Sequence, residues 1–100
     1  MNSSADESAS GGVTRILKIV NEKGLHARAS AKFVQMVERF NAKVTVSHKG
    51  ESAGGDSIMG LMMLAAAMGA SITVTATGPQ AQEVITALDA LVSTRFGEDE

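Results

Sequence analysis

The chain is predicted to fold as an α+β open-faced two-layer sandwich. A four-stranded antiparallel sheet is covered on one face by three helices, in the order β-α-β-β-α-β-α. Three observations lead there. Its 100 residues suffice for one modest core, burying roughly two-thirds of the unfolded surface. Segments with period-two apolar alternation interchange with segments of helical period. The alternating segments are apolar on one side only, which suits an antiparallel sheet with helices on that face.

The elements follow in chain order. Residues 1–12 contain one large apolar side chain, Met1, and cannot offset their ordering entropy, so a disordered tail is expected. Val13 to Val20 is rich in β-branched and aliphatic residues and reads as a strand. The polar run Asn21-Glu22-Lys23-Gly24 is a loop. From Ala27 to Phe40 the period changes: Phe33, Met36, Val37 and Phe40, extended by Ala29 and Ser30, form one face of an amphipathic helix. Asn41 then suits the residue just past its end. Lys43 to Ser47 alternates as a half-buried strand. Lys49-Gly50 is a turn, and Glu51 to Ala53 a short returning strand broken by Gly54-Gly55. Ser57 stands in the N-cap position of a helix running into the apolar stretch Ile58 to Ala70, with Gly69 as its stop. Ser71 to Thr77 alternates again, with Ile72, Val74 and Ala76 on one side. Pro79 suits the first turn of the last helix, Ala81 to Phe96, whose stripe is Val84, Leu88, Leu91 and Val92. Residues 13–97 are thus one domain, followed by an acidic tail, 98–100.

Composition narrows the function. There is no cysteine, hence no disulfide, thiolate metal site or cysteine nucleophile. Net charge is −2 and the aromatics are three Phe, whereas nucleic-acid binders show basic stripes and stacking aromatics. The stretch from Ile58 is shorter than the twenty or so residues of a membrane span, and the N-terminus lacks the features of a secretory signal. A cytoplasmic protein that neither binds nucleic acid nor inserts in a membrane is expected. His26 and His48 have no ligand set around them at a zinc spacing, so no metal is expected.

His26 lies where the polar loop meets the first helix. A helix start offers unpaired N–H groups and partial positive charge, and Arg28 adds a guanidinium suited to phosphate oxygens. An imidazole of ordinary basicity is largely uncharged at neutral pH and is a competent nucleophile. Nucleophile, anion site and charge partner therefore share one loop. Local features alone nonetheless favour a surface histidine that happens to precede a helix, because Gly-x-His-x-Arg is a weak pattern. Ser57 likewise reads, from its neighbours, as a cap worth about 1 kcal/mol, or as a phosphorylation site whose charge Asp56 would oppose. Met59, Met62, Met63 and Met68 serve either as core filler or as an adaptable docking surface. A helix this apolar cannot bury every side in so small a domain, so some of Ile58, Met59 and Met62 should be exposed and mark a contact site.

Two segments carry a resemblance. Gly24-Leu25-His26-Ala27-Arg28-Ala29-Ser30 resembles the active-site signature of the HPr family, the histidine-containing phosphocarriers of the bacterial phosphotransferase system. Asp56-Ser57-Ile58-Met59-Gly60-Leu61-Met62 resembles the signature around the family's regulatory serine. The likeness spans roughly residues 13–96. It departs at Ala29, where the family usually has Pro, and at Asp56, where it often has Lys. The resemblance implies that His26 accepts a phosphoryl group on Nδ1 from Enzyme I, which takes it from phosphoenolpyruvate, and passes it to an EIIA protein. Arg28 would stabilise the group in transit. Ser57 would be a regulatory phosphorylation site, with an HPr kinase/phosphorylase as candidate partner, and Ile58, Met59 and Met62 would form part of the surface shared by Enzyme I and EIIA. No cofactor and a monomeric state are expected. The chain would be a carrier with a phosphohistidine intermediate, not an enzyme in its own right.

Two other readings compete. One is a regulatory binding module of the same fold, whose phosphorylation state selects partners without onward transfer. The other is a small domain that binds RNA or a metabolite, which charge and composition disfavour.

Overall fold

A computed structural model describes residues 12–97. The expected tails fall almost entirely outside the described residues: 1–11 of the first, and all of 98–100.

The elements are β1 (Val13–Lys18), α1 (Ala27–Val37), β2 (Lys43–His48), β3 (Glu51–Gly54), α2 (Ile58–Met63), β4 (Ser71–Thr77) and α3 (Ala81–Ser93), closed by a 3-10 turn at Arg95–Gly97. The sheet order is β1-β4-β2-β3, with every neighbouring pair antiparallel. Four strands with three helices over one face is the predicted architecture.

Register follows from the alternation. Val46 lies opposite Val74, and Leu17 opposite Ile72. These side chains and Val44 and Ala76 are buried. Thr14 pairs with Thr75, and Thr75 with Thr45, on the other side. A slip by one residue would turn the valines to solvent and the threonines to the core, so burial fixes the pairing. Phe33, Leu61, Leu88 and Phe96 fill the space between the sheet and helices. Helix α3 packs on β1 and β4, while α1 packs against α2 and α3.

Several boundaries differ from expectation. Strand β1 stops at Lys18 rather than Val20, although Ile19 continues the pairing through Ile19 N–H to the Ala70 carbonyl at 2.8 Å and Gly69 N–H to the Ile19 carbonyl at 2.7 Å. Helix α1 ends at Val37 with Glu38 as its cap, not at Phe40, so Asn41 is not the residue past its end. Residues 39 and 40 bond three residues back, to Met36 and Val37, in a tighter turn. Helix α2 covers only Ile58–Met63 and does not run on to Gly69. Leu64 caps it and Ala65 takes φ +55°, which ends the right-handed path. The chain then alternates, burying Leu64 and Ala66 while exposing Ala65 and Ala67. Pro79 lies in the turn before α3, whose N-cap is Gln80. That helix stops at Ser93 rather than Phe96. The Thr94 hydroxyl donates to the Ala90 carbonyl at 2.8 Å, competing with the helix ladder. Arg95, Phe96 and Gly97 all take positive φ, which swings Phe96 into the core. Lys32 Nζ holds the Phe96 carbonyl at 2.7 Å.

Candidate functional site

The loop from Asn21 to His26 is held on both sides. Gly24 N–H donates to the Asn21 carbonyl at 3.2 Å, and His26 N–H to the Gly24 carbonyl at 2.9 Å. Leu25 N–H donates to the Ala66 carbonyl at 3.0 Å, across to the segment after α2. Gly24 has φ +63°, and a Cβ there would overlap the Ala66 carbonyl oxygen. Only glycine permits both that backbone turn and that approach.

His26 is half-buried and is the N-cap of α1. Its backbone is extended, and its ring Nδ1 accepts the Arg28 backbone N–H at 3.2 Å. Histidine thus occupies the place usually taken by Ser, Thr, Asp or Asn, with a ring nitrogen as the acceptor. Because Nδ1 accepts, the neutral ring carries its proton on Nε2. The Nδ1 lone pair therefore points at the start of the helix. No acidic residue lies in the first turn of α1, so the positive end of its dipole is not offset there. Arg28 is exposed on that same turn. A group joined to Nδ1 would meet the backbone N–H donors of the helix start, with an arginine side chain carried on the same turn, a setting that suits a phosphoryl group.

Ser57 is the half-buried N-cap of α2, its Oγ accepting the Gly60 N–H at 2.9 Å. It does cap. The short helix behind it presents Ile58, Met59 and Met62 at 40%, 69% and 38% exposure, as expected. Met63 and Met68, the other two methionines of the cluster, are more exposed than Met62, at 79% and 58%. Core filling does not describe these methionines. Since α1 packs against α2, the His26 loop and the patch belong to adjoining elements. His48 is elsewhere, at the end of β2, its Nδ1 3.2 Å from the Ser71 carbonyl. Among the described residues no group of three or more His, Asp or Glu is placed to hold a metal ion, and no helix is long and apolar enough to cross a membrane.

Two residues escaped the sequence reading. Asn21 was counted with a polar loop and Ser30 with an apolar stripe, yet both are fully buried against the His26 loop. Asn21 Nδ2 donates to the Gly24 carbonyl at 2.9 Å, and Ser30 Oγ to the Leu25 carbonyl at 3.1 Å. The one available signal was a serine among the inward positions of a helix, which needs a buried acceptor nearby.

Comparison with known proteins identifies the family and the fold. Residues 13–94 match the sequence family described as "PTS HPr component phosphorylation site". The chain is similar to the phosphocarrier protein HPr of Cupriavidus necator, at 49% identity over 82% of this chain and 92% of that one. In structure it is similar to an HPr of Thermoanaerobacter tengcongensis, with a TM-score of 0.84 and 34% identity, covering 88% of this chain and 99% of that one. An HPr dimer from the same organism matches with a TM-score of 0.69 and 36% identity, over 82% of this chain and 94% of that one.

Proposed function

The chain belongs to the HPr family of phosphocarrier proteins, and from that premise we propose that it relays a phosphoryl group through His26. Enzyme I, charged from phosphoenolpyruvate, is the donor. An EIIA protein of a sugar-linked or nitrogen-related phosphotransferase system is the acceptor. The Nδ1 lone pair attacks phosphorus as the bond to the donor breaks, its electron pair leaving with the donor. Transfer to EIIA reverses the step and restores the lone pair to Nδ1. Arg28 and the N–H groups at the start of α1 stabilise the charge on the equatorial oxygens in transit. The observation that carries this reading is the Arg28 N–H directed at His26 Nδ1, which presents that nitrogen as the nucleophile at an anion-binding helix end.

The protein forms a covalent phosphohistidine and turns over only with its partners, needing no cofactor of its own. Ile58, Met59 and Met62 form part of the docking surface for Enzyme I and EIIA. Ser57, phosphorylated by an HPr kinase/phosphorylase, would set negative charge beside that surface. We place the protein in the cytoplasm as a monomer. Sedimentation of the full chain at several concentrations tests the latter, against the precedent of the Thermoanaerobacter tengcongensis HPr dimer.

The deciding experiment is intact-protein mass after incubation with phosphoenolpyruvate, magnesium and an active bacterial Enzyme I. One phosphoryl group, lost in mild acid and kept in mild alkali, is expected, and none on His26→Ala. Labelling of His26→Ala equal to wild type would overturn the assignment. The second reading, a module that holds its phosphoryl group as a signal, separates at the next step: adding EIIA discharges a carrier and leaves a pure switch labelled.

A further inference from the structure

We propose that Asn21 and Ser30 are positioning residues for His26, forming a buried polar brace that keeps Nδ1 the acceptor nitrogen of its ring; the inference rests on the carrier reading above. They are the two fully buried polar side chains among the described residues, each at 0% exposure. Both direct their hydrogen bonds to one loop. The Gly24 carbonyl receives Asn21 Nδ2 and the His26 N–H, each at 2.9 Å. The Leu25 carbonyl receives Ser30 Oγ at 3.1 Å. The His26 carbonyl receives the Ser30 N–H at 2.9 Å. The last is the first backbone bond of α1; the buried side chains themselves hold two successive carbonyls, those of Gly24 and Leu25, and with them the two peptide planes that lead into His26.

Those planes set the backbone of His26, φ −74° and ψ −177°. That conformation brings Nδ1 within 3.2 Å of the Arg28 N–H. Stability does not account for Asn21. Among the described residues its Oδ1 is buried with no hydrogen-bond partner, a cost that an apolar side chain of similar shape would avoid. Loop geometry does account for it. The amide reaches the Gly24 carbonyl from inside the protein, where solvent cannot compete. Freed from the brace, the peptide planes relax and the ring loses the Arg28 N–H. The proton then distributes between Nδ1 and Nε2, and a smaller fraction of rings presents its lone pair at the helix start.

The test uses the full chain labelled with ¹⁵N-histidine. Ring nitrogen shifts are recorded at alkaline pH, where an imidazole is neutral, for wild type, Asn21→Ala and Ser30→Ala. Wild type should show a protonated Nε2 and an unprotonated Nδ1 at His26. In the folded variants both shifts should move toward tautomer-averaged values, and phosphoryl uptake from Enzyme I should slow by roughly 10- to 100-fold, as expected for a misaligned nucleophile. Ser30→Ala removes a single oxygen and keeps the test open if Asn21→Ala does not fold. A lower melting temperature with wild-type ring shifts and wild-type uptake would reduce the brace to a structural role and overturn the proposal. If wild type itself takes up no phosphoryl group, the carrier reading falls, and the ring shifts alone decide whether the brace sets the tautomer.

Discussion

Replacing Gly24 with alanine tests the loop most directly, because the structure supplies both the cost and its control. At φ +63° an alanine carries a left-handed penalty of about 1–2 kcal/mol. The new Cβ would overlap the Ala66 carbonyl oxygen and lie 2.9 Å from Ala67 Cα. Both are backbone atoms and cannot swing aside, so the two segments must separate. Separation strains or breaks the 3.0 Å bond from Leu25 N–H to the Ala66 carbonyl, adding about 0.5–1.5 kcal/mol. The total is about 1.5–3.5 kcal/mol. Gly50 is the control. Its φ is +83° and no atom of the described residues lies within 4 Å of a Cβ built on it, so Gly50→Ala costs only the left-handed penalty, about 1–2 kcal/mol. The entropy that alanine removes from the unfolded chain applies to both and cancels in the difference. Urea unfolding of both variants measures that difference, expected to be at least about 0.5 kcal/mol with Gly24→Ala the weaker protein. Since roughly 4–8 °C of melting temperature accompanies each kcal/mol in a domain this size, thermal scans should agree. Equal destabilisation of the two variants would refute the close packing of the His26 loop on the Ala66 segment. Phosphoryl uptake should fall in Gly24→Ala and not in Gly50→Ala.

Three further outcomes are expected. Arg28→Ala should unfold within about 0.5 kcal/mol of wild type, as an exposed substitution does, while slowing transfer both to and from His26; the backbone N–H facing Nδ1 survives, so unchanged rates would assign the stabilisation to the backbone alone. Ser57→Ala should lose about 1 kcal/mol of stability by urea unfolding, whereas Ser57→Asp keeps a capping acceptor and should weaken Enzyme I binding in calorimetry more than it lowers the melting temperature; unaltered affinity would leave Ser57 a cap and nothing else. Ala65→Gly should raise stability by up to about 1 kcal/mol, since glycine takes φ +55° without the left-handed penalty but adds unfolded-chain entropy, and destabilisation would show that the Ala65 methyl contributes more than its backbone costs.

What could be read in the sequence divides along a physical line. Strands β2 and β4 were legible because Val44, Val46, Ile72 and Val74 alternate with hydroxyl residues, and that pattern is itself the burial pattern. Helix α2 was legible at its start, where Ser57 caps, but not at its end. From Ile58 to Ala70 nearly every residue is apolar or small, so neither helical period nor alternation can register. The irregular stretch that buries Leu64 and Ala66 therefore looked like more helix. The end of α3 was obscured for a different reason: Phe96 is apolar enough to prolong the helical stripe, yet it reaches the core through three successive left-handed residues. His26 and Ser57 stood out through the motifs around them. Asn21 did not, because a polar residue in a loop ordinarily reads as solvated, and Ser30 did not, because its place on the apolar stripe of α1 says nothing of which carbonyl it bonds. The loop they hold packs through Gly24 and Leu25 on the segment after α2, a contact between positions far apart in the chain.

The division of labour around His26 follows from what a carrier must do. In the proposed relay the nucleophile has to reach two different proteins in turn, so it cannot be enclosed as an enzyme's would be; His26 is half-buried, with Arg28 exposed on the same helical turn. A side chain open to solvent is ordinarily mobile, and mobility spreads its reactive nitrogen over many directions. The chain resolves this by fixing the backbone and leaving the ring accessible. Gly24 and Leu25 are buried, and their carbonyls are held by the side chains of Asn21 and Ser30. Leu25 N–H is tied to Ala66, in the segment that follows the methionine-bearing helix. Orientation is thus built into the free protein, and a partner need supply only docking. For the proposed relay between two partners this matters, because neither partner would have to organise the nucleophile before phosphoryl transfer begins.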